Sequence, residues 1–240
     1  IPENAPRIPG LDIAATYIPC FDIGGDLYDF LPIDDHRIAI AIADVIGKGI
    51  PAAIMMSMFR GAVRAYADIE QNKDAIGTII GKLNKMACRE CRDGEFVTLF
   101  YAIIDVKDMT VTYCNCGHEP TVLIRGGQTV DLDKGGLVLG VETTAQYDIQ
   151  AVELKDGDCL LFYTDGLIDA ANFEGALWGR DNLLNIAAKF TAGSAELMIK
   201  NILMYRRRFV GLAKQFDDTS IIAVKVDRTA EPQFMKQVGF

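Results

Sequence analysis

The chain predicts an α+β layered fold with sheets packed on each other, and two observations lead there. Strand patterns arrive in blocks, interrupted by paired helices, instead of alternating strand by strand with helices. Cys159 to Thr164, and the run I-A-I-A-I-A from Ile38 to Ala43, are apolar throughout, as buried strands are. At 240 residues and 50% hydrophobic, the chain is long enough to bury a large core, and one domain of this class accommodates it.

Each element has its own signal. Leu11 to Pro19, Leu27 to Ile33 and Arg37 to Ala43 read as strands, with Asp34-Asp35-His36 as a hairpin turn. Pro51 to Ala67 and Lys73 to Arg92 read as helices. Pro51 suits a first-turn position, and Met55, Met58, Phe59, Ala62 and Val63 recur at helical spacing, a methionine-rich face that suits a core. A second strand block follows at Phe96 to Val106, Thr110 to Asn115, Thr121 to Arg125, Thr129 to Leu132 and Asp148 to Leu154, punctuated by Gly126-Gly127 and Asp156-Gly157. After Cys159 to Thr164 come two helices, Asp181 to Lys189 and Ser194 to Val210, the second with Ser194 as N-cap and Glu196 in its first turn. Thr219 to Val226 is the last strand.

Outside this pattern, residues 1–10 hold three prolines and read as a linker from an upstream domain, residues 11–226 as the folded domain, and residues 227–240 as a C-terminal tail. A net charge of −9 without a basic stripe argues against nucleic acid; Arg206-Arg207-Arg208 reads as the solvated end of a helix, where cations suit the dipole. No run approaches the ~20 apolar residues that span a bilayer, so no membrane contact and a cytoplasmic location are expected. Six cysteines are too few for a disulfide scaffold. Cys88-x-x-Cys91 and Cys114-x-Cys116-x-His118 could be combined into a zinc site on paper, but they read better as small buried residues.

Four aspartates carry the functional signal. Asp26, Asp44, Asp165 and Asp217 each stand where an apolar run meets a glycine or another acid. Carboxylates gathered at strand ends repel one another unless a cation lies between them, and hard divalent ions suit oxygen donors. A rival motif overlaps Asp44: the strand to Ala43 followed by G-K-G-I-P-A (Gly47 to Ala52) matches a dinucleotide-binding fingerprint. That reading, a nicotinamide- or flavin-binding oxidoreductase, leaves Asp44 without a role and puts Pro51 where a backbone N–H donor is needed.

The segments I-G-G-D-L-Y-D-F (Ile23 to Phe30), A-D-V-I-G-K-G-I-P-A-A (Ala43 to Ala53), N-C-G-H-E-P (Asn115 to Pro120), L-F-Y-T-D-G-L-I-D-A (Leu161 to Ala170) and F-D-D-T-S (Phe216 to Ser220) resemble, in order, motifs of a phosphatase family. It is the bacterial, sigma-factor-regulating, stage II sporulation protein E branch of the metal-dependent, phosphatase 2C-like serine/threonine phosphatases. The resemblance implies a layered α-β-β-α sandwich of two mainly antiparallel sheets. It also implies two or three Mn²⁺ or Mg²⁺ ions at one edge. Carried over by position, Asp44 would bridge two ions, the Val45 carbonyl would ligate where many relatives have glycine, and Asp26 would join through its carboxylate or a water. Asp165 and Asp217 would hold the second ion, with Asp218 the less favoured of its pair. A hydroxide between the ions would attack phosphorus in line, so Asp44 and Asp165 act catalytically through the water their metals hold.

Two departures qualify the likeness. Eukaryotic relatives carry a histidine, proposed as the leaving-group acid, where this chain has Ile46, and their phosphate-gripping arginine has no evident counterpart. His118 reads as ordering the turn between Asn115 and Pro120, and Gly24-Gly25 as a close backbone approach to the site or a bulge. By resemblance, the substrate would be a phosphorylated regulatory protein of the anti-sigma-factor-antagonist type, under control of an upstream sensor domain in the same polypeptide; a homodimer is left open. The alternative is a catalytically inactive, phosphoprotein-binding module of the same fold.

Overall fold

The protein, described by a computed structural model, is defined over residues 1–2, 4–69, 75–92 and 94–228. In chain order the strands are β1 (Leu11–Ile18), β2 (Asp26–Pro32) and β3 (Arg37–Val45). Two helices follow, α1 (Ile50–Ile69) and α2 (Ala75–Glu90). The second block holds β4 (Val97–Asp105), β5 (Thr110–Cys116), β6 (Thr121–Arg125), β7 (Gln128–Leu132), β8 (Gly135–Gly136), β9 (Gln150–Glu153) and β10 (Cys159–Tyr163). The chain continues through α3 (Asp165–Ile168), α4 (Arg180–Lys189), α5 (Ala195–Val210) and β11 (Thr219–Val226).

Two sheets result. One runs β1-β11-β10-β6-β7, all antiparallel; the other runs β2-β3-β4-β5-β8, with β9 also on β5 and only the short β5–β8 pair parallel. The run I-A-I-A-I-A explains the layering. Ile38, Ile40 and Ile42 of β3 face a core shared with Phe162, Ile222 and Val224 of the other sheet. The intervening Ala39, Ala41 and Ala43 face Phe59, Val63, Ile76 and Ile80 of α1 and α2, where a small side chain lets the helices sit close. On the opposite sheet the same period sends Leu161, Tyr163, Ile221 and Ala223 against α4 and α5 through Leu183, Met198 and Ile202. The order of layers is therefore helix, sheet, sheet, helix, as the resemblance implies.

The expected elements recur within one or two residues at most ends. The predicted start of α2 at Lys73 lies outside the described residues, as does most of the 227–240 tail. Ser194 caps α5 as expected, accepting the Leu197 N–H at 3.2 Å, and Pro51 lies in the first turn of α1. The strand predicted over Asp148 to Leu154 is paired only over Gln150–Glu153. Two elements were not foreseen. β8 is two glycines, and α3 is a single turn, both too short to show a period. The segment before β1 packs on the inter-sheet core through Ile1, Ala5 and the buried Ile8. No helix among the described residues is long and apolar enough to cross a membrane.

The dinucleotide reading fails on topology. β3 is antiparallel to both neighbours, β2 and β4, whereas that fingerprint needs the strand before the glycines to lie in a parallel βαβ unit. The glycines serve another purpose: Gly47 (φ 107°) and Gly49 (φ 71°) adopt left-handed backbone that turns the chain from β3 into α1.

Candidate active site

Strand register brings the first two aspartates together. Asp26, the first residue of β2, lies directly opposite Asp44, the penultimate residue of β3. Their partners come from the other sheet: Asp165 follows β10 and opens α3, and Asp217 precedes β11. The Val45 carbonyl closes the same end. A Cβ on Gly25 would lie 2.7 Å from that oxygen and 3.4 Å from Asp44 Oδ1, so only glycine lets β2 approach it. Gly166 is as constrained, because a Cβ there would meet the Asp218 carbonyl at 1.9 Å. Gly25 and Gly166 thus let neighbouring strand ends close up within each sheet, and Gly24, where a Cβ would lie 1.8 Å from Asp218 Oδ2, does the same between the sheets.

The electrostatics are those of crowded like charges. Burial raises the Asp44 carboxyl well above the usual range, and the charges of Asp26, Asp165, Asp217 and Asp218 push it further. Asp26 is 2% exposed and is raised by burial first, against hydrogen bonds that favour its charged form. Those bonds come from the hydroxyls of Thr164 and Ser220, which donate to one carboxylate oxygen at 2.7 and 2.9 Å. Asp165 is raised by burial and by Asp217.

Protein groups hold the remaining carboxylates. Lys48 donates to Asp217 at 2.8 Å and also to the Phe216 carbonyl. Asp218, the less favoured of the pair in sequence, is 7% exposed and accepts the backbone N–H groups of Cys20 and Gly25, both at 2.8 Å, which anchors the loop before β2. Gln215 braces the same corner, donating to the carbonyls of Ile18 and Asp217 at 3.0 and 2.6 Å.

Whether these residues suit a divalent ion is a question of donor chemistry and of placement. The donors are hard oxygens of one sign whose repulsion a cation would relieve, which fits. Among the described residues, though, no three His, Cys, Asp or Glu side chains are grouped as ligands of one ion; Asp26 is held by Thr164 and Ser220, and Asp217 by Lys48. The structure holds the five expected positions, Asp26, Asp44, Val45, Asp165 and Asp217, at one edge, with the Asp26 and Asp217 carboxylates turned to protein partners.

Further residues around the site carry no sequence motif of their own. Lys48, Thr164 and Ser220 flank the aspartates in G-K-G, T-D-G and D-D-T-S, and short hydroxyls beside predicted ligands are the one signal that could have pointed to them. Thr98, opposite Asp44 on β4, hydrogen-bonds His118 Nδ1 at 2.8 Å and reaches the Asp44 carbonyl at 3.4 Å. His118 orders its turn as expected: its N–H donates to Asn115 Oδ1 at 2.8 Å while Asn115 Nδ2 donates back to its carbonyl at 2.9 Å. Burial lowers the imidazole to about 4, so it is neutral at pH 7. Arg206 departs from the solvated helix end expected for it. It turns inward from α5, its Nη2 donating to the Gly166 carbonyl at 3.0 Å and to Thr219 Oγ1 at 3.2 Å.

Comparison with known proteins bears on this arrangement. Residues 34–227 match the stage II sporulation protein E (SpoIIE) family. The phosphoserine phosphatase RsbU of Bacillus subtilis is 33% identical over 201 residues, which is 83% of this chain and 58% of that protein. The chain spans only 24% to 58% of the length of such curated relatives. Among solved structures, the SiaA-PP2C domain of Pseudomonas aeruginosa superposes with TM-score 0.81 at 18% identity, over 90% of this chain and 86% of that one. RsbX in complex with magnesium superposes with TM-score 0.67 at 17% identity, over 90% and 96%. At such identities the structural likeness establishes the fold, that of phosphatase 2C-like domains.

Proposed function

The chain belongs to the SpoIIE family, and from that premise we propose that it is a divalent-metal-dependent protein serine/threonine phosphatase. The observation that carries the reading is the facing pair Asp26 and Asp44, each raised by burial first and then by neighbouring carboxylates, with Asp165 and Asp217 brought beside them from the other sheet. RsbU is a phosphoserine phosphatase and RsbX was solved with magnesium, which supports both the activity and the ion. We assign Asp26, Asp44, the Val45 carbonyl, Asp165 and Asp217 as the groups that would hold Mn²⁺ or Mg²⁺. When bound, such ions supply charge neutralisation for a phosphate ester and a water acidic enough to be deprotonated at neutral pH.

The chain's own residues set up that chemistry. Thr164 and Ser220 fix the Asp26 carboxylate in orientation and favour its charged form. Lys48 neutralises Asp217, supplying a charge that an ion held there would otherwise supply. Thr98 and the neutral His118 buttress the Asp44 main chain from behind. With Ile46 exposed at 39% where some relatives carry an acid, solvent would supply the proton that turns the leaving serine or threonine alkoxide into its hydroxyl. The substrate is a phosphoserine or phosphothreonine on a small regulatory protein, of the anti-sigma-factor-antagonist type, and an upstream sensor domain controls turnover.

Hydrolysis of para-nitrophenyl phosphate and of a phosphoserine peptide, measured with Mn²⁺, Mg²⁺ or EDTA, tests this. Turnover should require the ion and fall more than about 100-fold in Asp44→Asn and Asp165→Asn, beyond the 10–100-fold typical of outer-shell partners. A folded wild-type protein that hydrolyses neither substrate with either ion would instead be a binding module of this fold.

A further inference from the structure

The carboxylate cluster opens on one flank into a cavity of about 560 Å³, and Gly166 and Asp217 line both. Its far wall is the last turns of α5 and the loop behind them. Four cations, Lys200, Arg206, Arg207 and Lys214, line it against two carboxylates, Asp169 and Asp217. On a chain of net charge −9 this is a local inversion of sign.

Part of that positive charge is already committed. Arg206 is tied to Gly166 and Thr219, Lys200 pairs with Glu196 at 2.6 Å, and Asp217 is neutralised by Lys48. Arg207 and Lys214 remain, and among the described residues no ion pair holds either; Lys214 Nζ lies 6.0 Å over the Phe21 ring. The helix dipole accounts for a cation at Arg207, in the last turn of α5. It does not account for Lys214, which lies beyond the helix. The floor between them is apolar, with Leu203 and Met204 beneath and Phe216 66% exposed at the rim. A space of this size takes a few side chains of an extended segment, and a charge-lined one discriminates by sign.

We propose that this cavity is a docking subsite for an acidic segment next to the phosphorylated residue of a protein substrate, an inference that rests on the phosphatase reading above. Its position beside Asp217 sets the reach: a phosphoserine at the carboxylate cluster leaves its neighbours over Phe216, with their carboxylates against Arg207 and Lys214.

The test is fluorescence anisotropy of labelled peptides that carry a non-hydrolysable phosphonate analogue of phosphoserine between Glu-rich, Ala-rich or Lys-rich flanks, in Mn²⁺ so that the phosphate site is filled. Wild type should bind the Glu-rich peptide about tenfold more tightly than the Lys-rich one, a preference that shrinks with salt. The Arg207→Glu, Lys214→Glu double variant should abolish or reverse the preference, and Lys214→Gln should lessen it. Both side chains are exposed, and the Ala-rich peptide and a thermal melt check that the variants are folded. Equal affinity for all flanks, or a preference unchanged in the double variant, overturns the inference. Para-nitrophenyl phosphate hydrolysis by wild type with Mn²⁺ reports separately: its absence beside an intact flank preference would sink the phosphatase reading and leave the docking surface standing.

Discussion

Asp44 shows at a single residue why a site can be poised against its own fold. In the metal-free protein its charge is desolvated and faces four other aspartates, so removing it relieves repulsion instead of breaking a contact. Asp44→Asn should therefore melt in EDTA at the same temperature as wild type or higher, while losing turnover; a large destabilisation would mean that the carboxylate is held by an attraction the structure does not contain. His118 makes the opposite kind of prediction. Its folded pKa, about 4, lies below its ordinary value near 6.5, so between those values the unfolded chain binds a proton that the folded chain does not. Stability is lost as pH falls through that window, by up to about 3 kcal/mol from this group. The raised Asp26 and Asp44 act in the other direction over part of the same range, so the contrast is best read between wild type and His118→Gln. Denaturant titrations at pH 7, 5.5 and 4 should show the variant losing less stability on acidification. Parallel losses in the two proteins would refute it.

At the scale of elements, α1 is pinned to β2 by a buried carboxylate. Asp29 is 0% exposed and takes Arg60 Nε at 3.0 Å and Arg64 Nε at 2.5 Å, two arginines one helical turn apart. The two ways of breaking this pairing are unequal. Asp29→Asn leaves guanidinium groups that reach water, a cost of about 1–2 kcal/mol, whereas Arg60→Ala with Arg64→Ala strands a buried charge at about 3–5 kcal/mol. Denaturation of the two variants should rank them in that order, and the reverse ranking would show that Asp29 has another counterion. Gly166→Ala attacks a different joint. Its Cβ would sit 1.9 Å from a backbone oxygen of Asp218, so α3 and the start of β11 must part, at about 1–3 kcal/mol. These joints mark the limit of what the sequence displays. I-A-I-A-I-A announces β3 and both its faces, and the order of glycine-flanked aspartates announces the site's edge. Nothing local in Thr219–Val226 says that β11 inserts between β1 and β10, because strand order is set by burial over the whole chain. The hold of Lys48 on Asp217, and of Asp218 on Cys20 and Gly25, joins positions 169 to 198 residues apart, and no periodicity carries such distances.

Over the whole molecule, the candidate site lies on the seam between sheets. Asp26 and Asp44 belong to the β2–β3 edge of one sheet, whereas Asp165 and Asp217 sit where β10 ends and β11 begins in the other. An ion taken up by all four would cross-link the two halves of the sandwich at the end where their like charges now repel, adding to the hydrogen bonds of Thr164 and Ser220 to Asp26 that already join them. Binding to the folded chain alone, at about 100 times its dissociation constant, adds about 2.7 kcal/mol, which for a domain of this size is about 5–10 °C in melting temperature. Mn²⁺ should produce that shift in wild type, and Asp44→Asn and Asp165→Asn, one change on each sheet, should each remove most of it. Hydrogen exchange supplies the geometric half of the test: amides at the start of β2 and the start of β11 should gain protection together on adding Mn²⁺. If Asp165→Asn kept the full shift while Asp44→Asn lost it, or if only β2 gained protection, the ion would belong to one sheet and the seam would close without it.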